Sequence, residues 1–349
     1  MMKNSLRALL LVDWIPEKDA LLLDSLRKTG LDCDIMGIDF HQSRWTPINK
    51  IFSHWPKCLW VSIKAYRKRH DYDYMLAWSQ IIGTFLGMIK FITRSNIPKV
   101  FILEAVVVER DNPILEKFRR WFIATSWIRV NHIGLMSNAY KCLIQERFKL
   151  PEYQCVHLKS PLIIEKNNDF IGFKAGSYLY SAGRSYRDYR TLMEAAKKSR
   201  YHFVVATSDD ALQGLLIPDN VTVYRNAFGQ EADNLLKEAA AVIIPLDRTT
   251  SPAGDLTLTE AMYYGKPAII TETLITQEYI VHGKNGFLVP WKDPDAIVEA
   301  VNIIFSNPEK ANLIGRMARQ TVVENHALDV FSRNIADVIK NDIYGEESL

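Results

Sequence analysis

The 349-residue chain has few cysteines and few glycines, four (Cys33, Cys58, Cys142, Cys155) and 16 respectively. No Cys-x-x-Cys pair or other metal-like spacing is present, so the thiols are expected to stay reduced in a cytosolic protein. No Gly-x-Gly-x-x-Gly follows the first apolar run, which argues against a dinucleotide-dependent dehydrogenase. Long hydrophobic runs are missing too. Lys3 and Arg7 precede an apolar stretch, but residues 8–12 are cut off by Asp13 and are too short for the core of a secretory signal; a buried first strand is expected. Residues 74–92 are interrupted by Ser79, Gln80 and Lys90, whereas a membrane-crossing helix needs about 20 apolar residues. Repeats and low-complexity tracts are absent.

What is present is a globular composition, 48% hydrophobic and 24% charged, on a chain long enough for two domains. Strand-length apolar runs alternate with helix-length amphipathic segments. "RALLLVD" (7–13), "CDIMGI" (33–38), "DYMLAW" (73–78), "KVFILEAV" (99–106) and "HIGLMS" (132–137) read as strands. After a polar stretch between Leu158 and Gly176 the pattern restarts with runs at 177–183, 202–207, 221–225, 240–246, 267–271 and 286–290. Such alternation predicts an α/β fold of two doubly wound Rossmann-like domains facing a central cleft, with ligands at the carboxyl ends of the strands. The expected domains are 1–165 and 166–326, with a terminal helix in 327–349 packing back on the first. Net charge is +3, but residues 1–165 hold 24 Lys and Arg against 16 Asp and Glu, while the remainder holds 19 against 24. A basic half of this kind suits an anionic surface or substrate.

Two stretches could carry chemistry. In "YSAGRSYRDY" (180–189), a strand ends at Gly183, and Arg184 and Arg187 follow before a helix. Close backbone approach, free helix-start amides and two guanidiniums suit phosphate oxygens, although two solvated arginines in a surface turn would look the same. In "SPAGDLTLTEAMYYGKPAIIT" (251–271), Thr257 and Glu260 have the spacing of a capping box. Glu260 is therefore either the cap of a helix or a carboxylate that accepts hydrogen bonds from ribose hydroxyls. "DCD" (32–34) and "DYD" (71–73) resemble a metal-binding Asp-x-Asp, but they precede or enter strands rather than end them; no metal site is expected.

In order, the second half contains "YSAGRSYRDYRTLMEA", "VTVYRNAFGQEADNLLKEAAAVIIPL", "GDLTLTEAMYYGKPAIIT", "VHGKNGFLVP" and "DPDAIVEAVNIIFSNPEKANLIGRMARQTVVEN". This succession, over roughly 176–340, resembles the donor-binding domain of GT-B glycosyltransferases of the retaining, nucleotide-sugar-dependent glycosyl transferases group 1 family. The resemblance implies a donor-binding second domain and an acceptor-binding first one. It makes Arg184 the diphosphate arginine, with Arg187 in place of the family's lysine and beside the Gly183 turn. It makes Glu260 the ribose carboxylate and puts the backbone of Ala253, Gly254, Asp255 and Leu256, leading into Thr257, against the sugar and distal phosphate. Tyr224, Arg225 and Asn226 fall where the family meets the nucleobase, and Thr207 and Ser208 end a neighbouring strand. The implied donor is a nucleotide sugar such as a UDP- or GDP-sugar, with no cofactor and no metal. Pro252 stands where the family often has a second glutamate, and Asp255 where it usually has glycine. In the first half the family's glycine-rich loop is replaced by "VDWIPEKD", and Asp13, Glu104 and Glu109 are the acids available for an acceptor hydroxyl.

Basic and aromatic residues interleave at 53–70 and 116–129. Either these are helices with an aromatic core face and a solvated basic face, or they form a patch for an anionic membrane; a pI near 8.5 does not point to nucleic acid. The sequence thus leads to an expected hexosyl-transferring enzyme, cytoplasmic and peripheral on the inner face of a membrane, acting on a glycan or lipid-linked acceptor in cell-surface polysaccharide synthesis. A sugar-nucleotide epimerase or phosphorylase-like enzyme, and a degenerate nucleotide-binding subunit of an assembly complex, are the alternatives.

Overall fold

Two parallel sheets organise the chain. The structure, a computed structural model, describes residues 6–13, 20–38, 54–108, 112–162, 170–225, 227, 229–247 and 250–345, so Glu109 and Asn226 lie outside the described residues. The chain separates into two units, residues 1–161 with 328–349, and residues 162–327.

The first unit carries β1 (Leu6–Leu11), β2 (Leu31–Met36), β3 (Tyr74–Ser79), β4 (Lys99–Glu104), β5 (His132–Leu135) and β6 (Cys155–His157), in the parallel order β2-β1-β3-β4-β5-β6. Their near-continuous apolar runs follow from burial on both faces. β6 is too short and too polar in sequence to stand out. Right-handed crossovers put the helices Trp55–Arg67, Gln80–Thr93 and Pro113–Trp127 side by side on one face, while Ala20–Lys28 packs with the terminal helix Leu328–Tyr344. Phe331, Ile335 and Ile339 of that terminal helix join Leu22, Leu26 and the strand residues Leu10 and Leu76 in one core cluster. Asp342 pins its end to the amino ends of three strands. It accepts the Tyr74 hydroxyl, pairs with Lys99 Nζ at 3.0 Å, and lies 3.6 Å from His132 Nε2.

The second unit carries β7 (Leu179–Ala182), β8 (Phe203–Thr207), β9 (Val221–Arg225), β10 (Ala241–Ile244), β11 (Ala268–Thr271) and β12 (Phe287–Val289), in the order β12-β11-β10-β7-β8-β9. Both sheets are parallel and helix-covered, as the alternating pattern predicts. The order reverses between β7 and β10, the switch point beside which ligands of such sheets bind at the carboxyl edge. Lys266 of "YGKPAIIT" is fully buried beneath this sheet, donating to the carbonyls of Gly172 at 2.9 Å and Ala239 at 2.8 Å.

One local expectation fails. The helix Asp255–Tyr263 starts two residues before Thr257, with Gly254 as N-cap in the left-handed region (φ 82°) and no capping side chain. The Gly254 carbonyl accepts the Leu258 amide at 2.9 Å, so the helix already turns where the capping box would begin. Glu260 is the sixth helical residue and caps nothing.

Candidate functional site

A cavity of about 300 Å³ opens at the carboxyl ends of β7 and β8. Its walls include Gly183 and Arg184 after β7, Thr207 and Ser208 after β8, Gly229 and Asp233 at the start of the helix Gln230–Glu238, and Leu256, Thr257 and Glu260 on the helix Asp255–Tyr263. Such volumes are at the small end of ligand pockets.

The turn after β7 is held from beneath. Gly183 has φ 111°, and a Cβ there would come within 2.5 Å of the Arg187 guanidinium, so both backbone angle and space require glycine. The Gly183 carbonyl accepts the hydroxyls of Tyr189 at 2.6 Å and Thr207 at 2.8 Å. The loops after β7 and β10 are stitched together by Asp188 N–H to the Pro245 carbonyl at 3.0 Å and Asp247 N–H to the Tyr186 carbonyl at 2.8 Å. Asp188 also caps the next helix, accepting the Thr191 amide.

Not every residue expected at the donor faces this cavity. Arg187 does not line the cavity: its Nε and Nη1 donate to the carbonyls of Ala182 at 2.9 Å and Ser185 at 3.0 Å. Burial lowers its pKa, and the nearby Tyr189 and Asp255 oppose that fall. It braces the turn that presents Arg184. Asp255 is a half-buried acid whose carboxyl is raised by desolvation, against the stabilising pull of its own amide, the Leu256 amide and Arg187. Ala253, Gly254 and Asp255 are not among the cavity walls, whereas Leu256 and Thr257 are. Tyr224 and Arg225 do not line it either; Arg225 pairs with Asp209. Thr207 faces the cavity but spends its hydroxyl on Gly183.

What converges on the space is bipolar. Among the described residues, Arg184, exposed, is the one cation of the cavity wall, and Glu260 and Asp233 are its carboxylates. Burial raises the Glu260 carboxyl to about 7, with repulsion from Asp233 adding to the rise. Asp233 is positioned by the Tyr264 hydroxyl at 2.7 Å and Lys237 Nζ at 2.6 Å. Tyr180, on the floor, has its hydroxyl pKa raised by burial and by Glu260. Neither Asp233 nor Tyr180 was singled out from sequence. The available signal was position: Tyr180 sits in the strand that ends at Gly183, and Asp233 in the first turn of a helix that begins beside the strand ends.

In the other unit Glu104 ends β4 and accepts Ser160 Oγ at 2.8 Å, and Gln80 accepts the Val106 amide at 2.8 Å. Asp13, past the end of β1, lies 3.3 Å from His54 Nε2. The two basic–aromatic stretches fall in the helices Trp55–Arg67 and Pro113–Trp127. Trp127 is buried as a core-face reading requires, yet Trp60, Phe118 and Trp121 are 53%, 62% and 58% exposed. No helix among the described residues is long and apolar enough to cross a membrane.

Residues 184–321 match the family model described as glycosyl transferases group 1. D-rhamnosyltransferase WbpZ of Pseudomonas aeruginosa is 28% identical over 142 residues, which is 39% of this chain and 37% of that protein. The match thus spans little more than a third of that relative's length. Among solved structures, sucrose-phosphate synthase from Thermosynechococcus elongatus aligns with a TM-score of 0.72 at 15% identity over 97% of this chain and 100% of that one. Anabaena HepE, solved in complex with UDP, aligns with a TM-score of 0.69 at 12% identity over 96% and 100%. At these identities the structural likeness is one of fold.

Proposed function

We propose, from a chain that has the GT-B fold and whose residues 184–321 match the glycosyl transferases group 1 family, that the protein transfers a sugar from a nucleoside diphosphate donor to a hydroxyl acceptor. The observation that carries this reading is the bipolar cavity at the switch point, with one guanidinium at the β7 turn and two carboxylates opposite. A diphosphate needs a cation, and a ribose diol needs paired acceptors; Arg184 and Glu260 supply them. That solved relatives hold UDP and UDP-glucose supports a nucleotide-sugar donor here.

In the transfer, the bond from the sugar's anomeric carbon to the diphosphate breaks and a bond to the acceptor oxygen forms. The acceptor's proton passes to a phosphate oxygen of the leaving group, so no protein base and no metal is required. Arg184 is poised for the charge that grows on the leaving diphosphate, and a preorganised donor aimed at developing charge is usually a large catalytic contribution. The acceptor we assign is a membrane glycan or lipid-linked sugar, because Trp60, Phe118 and Trp121 are exposed among Lys64, Arg67, Lys117 and Arg120. Exposed aromatics interleaved with cations suit the headgroup level of an anionic bilayer.

Calorimetry with UDP and GDP tests the donor site. Arg184→Ala and Glu260→Ala are each expected to cost about 1.5–3 kcal/mol of binding, as for a hydrogen bond to a charged group. Unchanged affinity in both variants would rule the assignment out.

A further inference from the structure

The first unit holds a group of donors that the transfer chemistry does not use. Asp13, His54 and Cys58 each present one ligand atom, and all three atoms lie within 4.8 Å of one another. His54 Nε2 is 3.3 Å from Asp13 Oδ2 and 3.5 Å from Cys58 Sγ. Both contacts converge on the same ring nitrogen. A hydrogen-bonded relay of acid, imidazole and thiol engages the two ring nitrogens separately, and a single N–H points along one line only. Convergence of oxygen and sulfur on one nitrogen is instead what three ligands of one ion show.

The spacing fits a tetrahedral ion. With metal–nitrogen and metal–oxygen bonds of ~2.0–2.1 Å and a metal–sulfur bond of ~2.3 Å, the tetrahedron's N–O edge is ~3.4 Å and its N–S edge ~3.6 Å. The distances in this chain, 3.3 and 3.5 Å, agree with both edges. Backbone placement explains how this arises. His54 and Cys58 are four residues apart at the start of the helix Trp55–Arg67, which stacks their side chains on one helix face. Asp13 stands just beyond β1, at the carboxyl edge of the sheet. Cys58 and His54 are buried and Asp13 keeps 21% of its side chain exposed, so the group reaches solvent at its carboxylate.

We propose that Asp13, His54 and Cys58 form a zinc-class cation site, these three being the ligands that the described residues supply. Thiolate and imidazole ligands select zinc over the magnesium, calcium or manganese favoured by all-oxygen sites. Binding displaces the thiol proton, and two anionic ligands then offset the ion's charge within a buried cluster. Its structural effect is to tie the segment after β1 to the start of the helix Trp55–Arg67. None of the three ligands belongs to the donor cavity, so the inference stands or falls independently of the sugar-transfer reading.

The test uses the full chain stripped with a chelator and then titrated with Co²⁺. One equivalent is expected to give tetrahedral visible bands and a thiolate-to-cobalt charge-transfer band, both lost on adding Zn²⁺ and retained on adding Mg²⁺. Cys58→Ser should abolish the charge-transfer band and weaken zinc at least tenfold, with circular dichroism confirming the fold. Asp13→Asn, at the least buried ligand, should keep the charge-transfer band and weaken zinc, so the proposal remains testable if the cysteine variant does not fold. Failure of the wild-type chain to take up a stoichiometric ion overturns the proposal, and so does an unchanged charge-transfer band in folded Cys58→Ser, which would place the ion on another thiol.

Discussion

The two units are built on the same plan and use their surfaces in opposite ways. Each is a six-stranded parallel sheet between helices, and in each a buried lysine donates to buried oxygens, backbone carbonyls for Lys266 and a carbonyl plus the Asn131 side chain for Lys90. In the second unit the loops at the switch point are stitched by main-chain hydrogen bonds and braced by the half-buried Arg187, and polar side chains face a cavity. In the first, the polar groups at the strand ends are spent on one another, Gln80 on the Val106 amide and Glu104 on Ser160, while the helical face exposes large apolar side chains. The same fold thus leaves a polar-walled cavity in one unit and a helical face with exposed aromatic side chains in the other. Charge follows the same division, since the first half is basic and the second mildly acidic.

The largest expected effect breaks the comparison at its apolar side. Burying a tryptophan side chain at an interface contributes on the order of 1.5–3 kcal/mol. Replacing both Trp60 and Trp121 with alanine should therefore weaken co-sedimentation with anionic liposomes by about a hundredfold or more, with nucleotide affinity in calorimetry unchanged. Binding that is insensitive to both substitutions and to salt would remove the membrane from the reading.

How much of this division can be read in the sequence depends on the range of the interactions. The strands are legible because burial on both faces makes them continuous apolar runs; β6, three residues long, has no such run. Arg184 and Glu260 both line the cavity; local pattern leaves each open, and what points to them is the order of the motifs shared with the family. Arg187 is misleading because its distance from Arg184 along the chain is small, while its partners, the Ala182 and Ser185 carbonyls, become reachable only when the Gly183 turn closes over it. Asp233 is invisible for the opposite reason, since its neighbours Tyr264 and Glu260 lie some thirty residues away. The capping box misleads because Thr257 and Glu260 satisfy the pattern, yet Gly254 starts the helix earlier by taking a left-handed conformation. His54 and Cys58 share a helix face through their four-residue spacing, but Asp13 joins them only when the end of β1 comes beside that distant helix start, which spacing in the chain does not reveal.

The two buried lysines allow a finer comparison. Lys266 serves two backbone carbonyls, whereas Lys90 serves the Pro98 carbonyl at 2.6 Å and the Asn131 side chain at 3.3 Å. The Asn131 oxygen also accepts the Val100 amide, so it keeps a donor if Lys90 is removed. An orphaned buried carbonyl costs about 1–3 kcal/mol. Lys266→Met should thus destabilise its unit more than Lys90→Met destabilises the other, as read by denaturant unfolding at neutral pH. Burial lowers both amines to about 8. A base with a depressed folded pKa is held less protonated than in the unfolded chain, so each unit should gain stability as pH rises from about 8 towards 10.5, and each methionine variant should lose that slope. The reverse ranking would mean that removing the buried charge outweighs the loss of its hydrogen bonds.

The smallest effect is the most discriminating, because it sets the cavity's ligand role for Glu260 against a purely structural one. Burial, followed by repulsion from Asp233, raises this carboxyl from 4.5 to about 7. An acid with a raised folded pKa favours the fold while protonated; that contribution is complete below 4.5 and disappears as pH rises through about 7. Glu260→Gln removes the cost of the buried charge, so it should raise the melting temperature at pH 8 and change little at pH 5. A helix cap would behave in the opposite way, losing about 0.5–2 kcal/mol on substitution. Ribose hydroxyls donate to the ionised carboxylate, so nucleoside diphosphate affinity should climb with pH up to about 7 and then level off. The climb approaches tenfold per unit where protonation is nearly complete, equivalent to about 1.4 kcal/mol. Glu260→Gln should flatten that profile, and Asp233→Asn, by removing the neighbouring negative charge, should move its midpoint to lower pH. Calorimetric profiles that coincide for the wild type and both variants would show that Glu260 takes no proton-linked part in holding the nucleotide.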